Sequence, residues 1–280
     1  MTREAHEAKL RLKPSISMSI PAFNNQDAAN SAGKNIRVSA IGNKTNLHGR
    51  IAEHLGVSIL RGKIRPGVVL PTEAGLGVSL HVSRTAIREA IKVLTSKGLV
   101  EVRRKTGTRV RPKKDWNALD PDVLAWQFSG GSLPTAIMDL LELREVIEPA
   151  SARMAAERAT TDDVAEIEKA FSEMERAVGK TAASVEADLR FHLAILESTH
   201  NSFMRPFGAL IQAALRASFR QTNKDHSAYR QSLSKHRRVL TAIKSKTPNA
   251  AADAMREVLH GTRQDIQHVL GHKTQKKRPL

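Results

Sequence analysis

Apolar residues recur every three or four positions between residues 47 and 98, the spacing of one face of an α-helix. The pattern predicts three short helices: one from residue 47 to a turn at 65–67, one over 73–80 with Thr72 as N-cap, and one from Ser83 to Lys97-Gly98. The expected buried positions are Ile51, Leu55, Ile59, Leu60, Ile87, Ala90, Ile91 and Leu94.

A basic hairpin follows the third predicted helix. Residues 100–102 and 108–110 alternate like two short strands around a turn at 103–107. Two helices joined by a tight turn and followed by a hairpin predict a winged helix-turn-helix. At about 100° per residue, Arg84, Arg88 and Lys92 share one side of the third helix, opposite its apolar side. That helix can therefore bury one face and present the other to phosphates and base edges.

From about residue 133 to residue 271 the pattern is helical throughout, with breaks near 160–161, 179–180, 201, 223–226 and 247–248. Six helices packed as a bundle are expected, so the fold class is mainly α. Arg144, Asp188, His192 and His236 fall on its apolar stripes. Burying charged or polar side chains in the core of a bundle costs free energy unless they pair with one another or bind a ligand, so we expect a polar site. A purely structural cluster, with Arg144 paired to Glu148 or Asp188, is the alternative.

The net charge is +17, and residues 1–112 carry most of it, with 20 basic and 7 acidic side chains. This asymmetry favours a nucleic-acid-binding module joined to a nearly neutral one. The absence of cysteine excludes disulfides and thiolate metal sites. No apolar run reaches the roughly 18 residues of a membrane span, so a cytoplasmic protein without a membrane partner is expected. The expected organisation is a disordered arm (1–45), a DNA-binding domain (46–112), a linker (113–134), an effector and dimerisation domain (135–272) and a basic tail (273–280).

The segments Ile64-Arg65-Pro66-Gly67, Leu70-Pro71-Thr72-Glu73, 82–90 (VSRTAIREA) and Lys97-Gly98-Leu99-Val100 resemble the DNA-binding half of GntR-family bacterial transcriptional regulators. The resemblance covers residues 47–111. It implies contacts with double-stranded operator DNA from Thr72, Ser83, Arg84, Thr85, Arg88, Arg104, Lys105, Thr106, Gly107 and Thr108. The family usually has Arg-Glu-Leu after Glu73, where this chain has Ala74, Gly75 and Leu76. One arginine contact is therefore missing, and the basic turn 103–105 is a candidate to offset it.

Residues 140–150 (LLELREVIEPA), 188–192 (DLRFH) and 236–240 (HRRVL) resemble the all-α, FCD-type effector domain of the FadR branch of that family. Metal-binding members of this branch use one Asp and three His to hold a divalent metal such as zinc. Asp188, His192 and His236 match three of these positions, but the fourth is Val258. His260 lies two residues later, about 200° around the helix. A weakened three-residue metal site and no metal site both remain open, and Arg144 becomes the expected anchor for a carboxylate effector.

The segment 116–126 (WNALDPDVLAW) resembles linkers of regulators of sugar-acid catabolism. Together these features predict a homodimeric regulator, not an enzyme, that represses a carboxylate or sugar-acid catabolic operon. Its effector would bind in the bundle at Arg144, Asp188, His192 and His236. Two alternatives stay open at this point: a sequence-indifferent nucleoid protein, and a metal-dependent hydrolase built on the Asp188, His192 and His236 group.

Overall fold

The computed structural model describes residues 46–129, 134–222 and 226–275. The predicted arm, residues 1–45, and the last five residues of the basic tail lie outside these ranges. Within them the chain forms ten α-helices, one 3-10 turn and one two-stranded hairpin. The predicted mainly α fold class is confirmed.

Residues 47–110, called the head below, form a winged helix-turn-helix. Its helices are α1 (Leu47–Leu60), α2 (Glu73–Leu80) and α3 (Arg84–Ser96), and its wing pairs β1 (Val100–Arg103) with β2 (Gly107–Val110). The strands are antiparallel, with Val100 opposite Val110 and Arg103 opposite Gly107. The first helix ends earlier than the sequence suggested, because Arg61 is its C-cap and Gly62 adopts a φ of 72° that glycine tolerates readily.

Side-chain caps define the turn between α2 and α3. The Thr72 hydroxyl accepts a hydrogen bond from the Gly75 N–H, and the Ser83 hydroxyl accepts one from the Ala86 N–H. Between the two helices His81 has a φ of 54°, a left-handed conformation that is uncommon for residues other than glycine. The two helices thus begin at defined residues and meet at a sharp turn.

Part of the predicted linker is a helix that packs into both halves of the protein. Asp120 caps α4 (Pro121–Phe128) by accepting from the N–H groups of Asp122 and Val123. Val123 and Trp126 are buried in the apolar core of the head. Leu124 and Phe128 are buried in a second core formed with the helical half of the chain. We call α4 the connector helix.

The rest of the described chain is the six-helix bundle, with breaks where the sequence predicted them. Its helices are α5 (Pro134–Arg158), α6 (Thr161–Arg176), α7 (Thr181–Glu197), α8 (Phe207–Thr222), α9 (His226–Lys244) and α10 (Pro248–Gln275). Its largest apolar cluster draws on α5, α6, α7, α9 and α10 around Phe171, Phe191 and Met255. Among the described helices, none combines the length and the hydrophobicity needed to cross a membrane.

Candidate functional site

Most residues predicted to contact DNA are exposed on the head. Arg84, Thr85 and Arg88 lie on the polar side of α3, while Ile87, Ala90, Ile91 and Leu94 bury the other side. On the wing the exposed members are Arg104, Lys105, Thr106 and Gly107. Thr108 differs, because it is buried and its carbonyl accepts from the Leu70 N–H at 2.7 Å. Its side chain is therefore not on the exposed surface that the other wing residues form.

The two capping hydroxyls and Arg88 already have partners within the head. Thr72 and Ser83 are exposed and accept backbone hydrogen bonds, which leaves each hydroxyl hydrogen available to a phosphate. Nε and Nη2 of Arg88 donate to Oε2 of Glu73 at 3.3 and 3.2 Å. DNA would have to compete with Glu73 for Arg88, a partner that the sequence analysis did not identify.

In the bundle, Asp188 and His192 on α7 meet His236 on α9, and all three are buried. Oδ1 of Asp188 lies 3.1 Å from Nε2 of His236 and 3.7 Å from Nε2 of His192. The two Nε2 atoms are 3.4 Å apart. One ligand atom from each residue thus lies within 4.8 Å of the others, and we call this group the buried triad.

The contacts around the buried triad determine which ring nitrogens face inward. Nδ1 of His236 donates to the Ser232 carbonyl at 2.8 Å, whereas Nδ1 of His192 lies 2.6 Å from Oε2 of Glu148 in an ionic contact without hydrogen-bond geometry. With a hydrogen on each Nδ1, neutral rings direct two Nε2 lone pairs toward each other and toward Asp188. Oδ1 of Asp188 has no hydrogen bond of acceptable geometry. Three converging lone-pair groups repel one another unless a proton or a cation lies among them.

Arg144 on α5 extends this group. It is 1% exposed and pairs with Glu148 one turn later, through Nε to Oε1 and through Nη2 to Oε2 at 3.4 Å. Of the two pairings left open by the sequence, the structure therefore shows the one with Glu148. Its remaining nitrogen, Nη1, is buried without a hydrogen-bond partner. An unused donor in a buried guanidinium is costly, and an acceptor placed beside it would remove that cost.

The pKa values of the buried groups reflect the alternating charges of neighbouring side chains, in the order Arg144, Glu148, His192 and Asp188. Burial alone would raise the pKa of Glu148, but Arg144 and His192 lower it to about 2. Burial opposes a charge on His192, but Glu148 and Asp188 raise its pKa to about 9. Burial opposes the charge of Asp188, but the adjacent imidazoles of His192 and His236 outweigh burial, so the pKa of Asp188 lies well below its usual range. Without a metal, a proton on His192 is thus favoured over a neutral ring.

The donor set of the buried triad also fits a divalent metal, since two imidazole nitrogens and one carboxylate oxygen are ligands that zinc accepts. Val258, at the position implied for a fourth ligand, is buried in the same apolar cluster as Phe191. His260 is exposed, and its Nε2 lies 3.0 Å from Gln264 Nε2, in agreement with the expectation that it points elsewhere. Among the residues that the structure describes, the group consists of three residues.

Two further side chains border the buried triad and were not predicted. Tyr229 donates a hydrogen bond to the Met174 carbonyl at 3.2 Å, and its burial and the charge of Asp188 hold its pKa well above the usual value. Ser184 lies beside the Tyr229 hydroxyl and lowers its pKa slightly, while its own hydroxyl donates to the Ala177 carbonyl at 2.8 Å. Tyr229, Leu233 and His236 are spaced i, i+4 and i+7, so the stripe that identified His236 also contained the signal for Tyr229.

Comparisons with known proteins agree with this architecture. The model of bacterial regulatory proteins of the gntR family matches residues 47–110, and the FCD domain model matches residues 139–261. The galactonate operon transcriptional repressor of Escherichia coli (strain K12) is 40% identical over 213 residues, 76% of this chain and 92% of that protein. The Uxu operon transcriptional regulator of the same strain is 33% identical over 223 residues, 74% of this chain and 82% of that protein.

A solved structure supports the fold. Lar, a protein that controls the expression of the Listeria monocytogenes agr system, aligns with a TM-score of 0.58 at 18% identity, covering 81% of this chain and 99% of its own. The two curated relatives are transcriptional regulators rather than enzymes, as expected for this chain. The chain is therefore a member of the GntR family of bacterial regulators with an FCD domain, and it is a ligand-responsive, DNA-binding transcriptional regulator.

Proposed function

We propose that this chain is a homodimeric repressor of a sugar-acid catabolic operon, and that the carboxylate of its effector binds beside Arg144. The observation that carries the proposal is the free Nη1 of this fully buried arginine, next to the buried triad. A guanidinium binds carboxylates through two parallel hydrogen bonds, which gives direction as well as strength. Nη1 and the weakly held Nη2 are the two donors that such a ligand would use.

The sugar-acid class rests on two similarities and on the chemistry of the site. The relatives named above regulate a galactonate operon and a uxu operon, and residues 116–126 resemble linkers of sugar-acid regulators. A sugar acid combines one carboxylate with several hydroxyl groups. Arg144 supplies donors for the carboxylate, while His192, His236, Tyr229 and Ser184 provide polar atoms for hydroxyls.

Asp188, His192 and His236 would hold a divalent metal such as zinc in the same site. When bound, such a cation supplies a Lewis-acidic centre for oxygen atoms of the effector. Glu148 lies against Nδ1 of His192, and the Ser232 carbonyl accepts from Nδ1 of His236, so both Nε2 atoms stay directed inward. With Val258 in the fourth position, the protein offers three ligands rather than four, so weaker metal binding than in a four-ligand site follows.

At the operator, two copies of the head would contact half-sites of a pseudo-palindrome, because the symmetry of a dimer is mirrored in its DNA site. Arg84, at the exposed N-terminus of α3, is the proposed bidentate partner of a guanine. Arg88, Thr72, Ser83, Thr85 and the basic wing residues would contact the phosphates and adjacent base edges.

The test is operator binding by the full chain, with a duplex selected in vitro from a random library. D-galactonate and galactitol, its neutral open-chain counterpart, form a matched pair of probes, since they differ only in the carboxylate at C1. We expect the acid, but not the neutral compound, to weaken operator binding. The double variant Arg144→Gln/Glu148→Gln, which leaves no unpaired charge in the interior, should still bind the operator but lose that response. An equal response to both compounds would contradict the proposed role of Arg144.

The nucleoid-protein alternative makes a different prediction. A protein attracted only by phosphates would bind the selected duplex and a scrambled duplex equally at about 150 mM salt, whereas a specific regulator prefers its site by about 10³-fold or more. Arg84→Ala should reduce this preference, because a bidentate contact to guanine contributes roughly 1–3 kcal/mol of discrimination. Equal affinity for both duplexes would favour the alternative.

A further inference from the structure

A buried lysine marks the C-terminal end of α3. Lys97 is the C-cap of that helix, and its side chain is 9% exposed. Its Nζ lies 2.8 Å from Oδ1 of Asp120 and 2.7 Å from Oδ2 of Asp122, and it stands 5.5 Å from the centre of the Trp126 ring. All three partners belong to the connector helix or its cap. The helix that carries Arg84 is thus joined to the connector helix by one cation.

The main chain strengthens the same junction. The Asn117 N–H donates to the Lys97 carbonyl at 3.1 Å. Gly98 has a φ of 71°, and a Cβ there would lie 2.6 Å from the Asp115 carbonyl oxygen, so only glycine allows this approach. Burial opposes the charge of Lys97, but the hydrogen bonds that it donates to Asp120 and Asp122 outweigh burial and raise the pKa of Lys97. The lysine therefore stays charged in its buried position.

The opposite side of the connector helix belongs to the bundle. Leu124 and Phe128 pack in one apolar cluster with residues of α5 and α8, among them Ile137, Leu141 and Leu210. Helix α5 also carries Arg144, about two turns after Ile137. A displacement of α5 at the proposed effector site would therefore reach α4 through this shared apolar cluster and through α8, which packs against both helices. Lys97 is a polar contact through which α4 holds α3.

We propose that Lys97 is a positioning residue for operator binding, which transmits the state of the bundle to the DNA-contacting helix through Asp120 and Asp122. Its effect on effector response rests on the function proposed above, whereas its mechanical role does not. Lys97 is buried on the side of α3 away from Arg84 and Arg88, so it acts on DNA through the position of α3 rather than by contact.

The first experiment separates coupling from affinity in the full chain. Operator dissociation constants are measured with and without D-galactonate for wild type, Lys97→Met, Lys97→Arg and Lys92→Met. Methionine has an unbranched side chain of similar length, so it fills the same space while removing the charge. Lys92 is an exposed lysine on the same helix, paired only locally with Glu89, and serves as the matched control. Allosteric coupling typically changes affinity by about 5–150-fold. We call the operator dissociation constant with D-galactonate divided by the constant without it the ratio. Lys97→Met should reduce this ratio from its wild-type value to near 1.

The expected patterns differ between the variants. Lys97→Arg should restore most of the ratio, because it preserves the charge that Asp120 and Asp122 require. Lys92→Met should weaken operator binding by the same factor with and without D-galactonate, leaving the ratio unchanged. If Lys97→Met is poorly folded, Asp122→Asn replaces it, because Asp122 is largely exposed and Asp120 still caps the connector helix. A full wild-type ratio in the folded variant would overturn the proposal.

The second experiment needs no effector and distinguishes failure of this proposal from failure of the proposed function. Coupling is reciprocal, so operator binding should alter amide hydrogen exchange in α4, α5 and α8 of the wild-type chain. In Lys97→Met the change should be confined to residues 47–110. If D-galactonate has no effect on wild type but exchange in α5 still responds to DNA through Lys97, the effector assignment fails and this proposal stands. If exchange beyond the head does not respond in wild type, the proposal is wrong.

Discussion

Arg144 and Glu148, one turn apart on α5, form an ion pair that is almost completely buried and continues through Glu148 to His192. Removing one member leaves an uncompensated charge inside the protein, which costs about 3–5 kcal/mol in comparable cases. We therefore expect Arg144→Met to lower the free energy of unfolding by about this amount, measured by urea denaturation.

Two further variants test the cause of that loss. Arg153 and Glu157 form an equally spaced pair on the same helix, but both are exposed, and Arg153→Met should change the unfolding free energy by no more than about 0.5 kcal/mol. The double variant Arg144→Met/Glu148→Met should lose less than Arg144→Met alone, since it removes both charges. A double variant that is less stable than the single one would show that packing, rather than charge, dominates.

Zinc binding by the buried triad can be measured by the stabilisation it produces. A ligand that binds only the folded state at about 100 times its dissociation constant adds roughly 2.7 kcal/mol to stability. We expect zinc to raise the melting temperature of the wild type, and Asp188→Asn to abolish most of this rise by removing the carboxylate of the triad. Val258→His should increase the zinc affinity if position 258 supplies the fourth ligand. An identical response of wild type and Asp188→Asn would exclude the triad as the zinc site.

Gly56 on α1 is packed directly against Trp126 of the connector helix, so a Cβ at position 56 would lie 2.5 Å from a ring carbon. Gly56→Ala should destabilise the protein by about 1–3 kcal/mol, the usual cost of an overpacked core. Gly75→Ala is the matched control, because a Cβ there meets its nearest atom at 3.4 Å and alanine has the higher helix propensity. Thermal unfolding of both variants checks the prediction. Equal effects would mean that α1 and α4 are not in tight contact.

The elements of both halves were predictable because their signals are local. Helical spacing located all six helices of the bundle, and it placed Arg144, Asp188, His192 and His236 inside, where the structure has them. Caps such as Thr72 and Ser83 also act within three residues. The first helix ended early because Gly62 supplies a left-handed turn that the prominent Pro66-Gly67 signal obscured.

The long-range partners were not predictable from the sequence. In the sequence, Lys97 is an ordinary basic residue before a glycine that ends a helix. Its pairing with Asp120 and Asp122 depends on the path of the chain after the wing, which no local pattern predicts. The sequence places Trp126 in a linker. Its burial arises because Gly56, on another helix, has no side chain and lets the ring pack against the helix backbone. Likewise, a period of 3.6 residues shows that His192 points inward but not that Glu148 meets its Nδ1 atom.

The ion pair between Glu73 and Arg88 leads to a prediction about DNA affinity. Both side chains are partly exposed, and pairs of this kind are worth about 0.2–1 kcal/mol. Glu73→Gln should release Arg88 and remove a negative charge near the phosphates, which should tighten operator binding by up to about fivefold. In Arg88→Ala, the Glu73 substitution should have a smaller effect. Operator binding is measured over a salt titration for the wild type, Glu73→Gln, Arg88→Ala and the double variant. An equal effect of Glu73→Gln with and without Arg88 would show that Glu73 does not act through Arg88.

His81 lies between α2 and α3 with a φ of 54°, a backbone conformation that is strained for residues other than glycine. Its N–H still closes the turn by donating to the Val78 carbonyl, so the conformation is needed for the geometry of the helix-turn-helix. His81→Gly should therefore raise stability by up to about 1 kcal/mol, after the entropy that glycine adds to the unfolded chain is subtracted. His81→Val should lower it, because a β-branched residue is poorly tolerated at positive φ. If the strain is real, urea denaturation should show changes in the free energy of unfolding of opposite sign for the two variants. A loss of stability in both would indicate that the imidazole itself contributes to the turn.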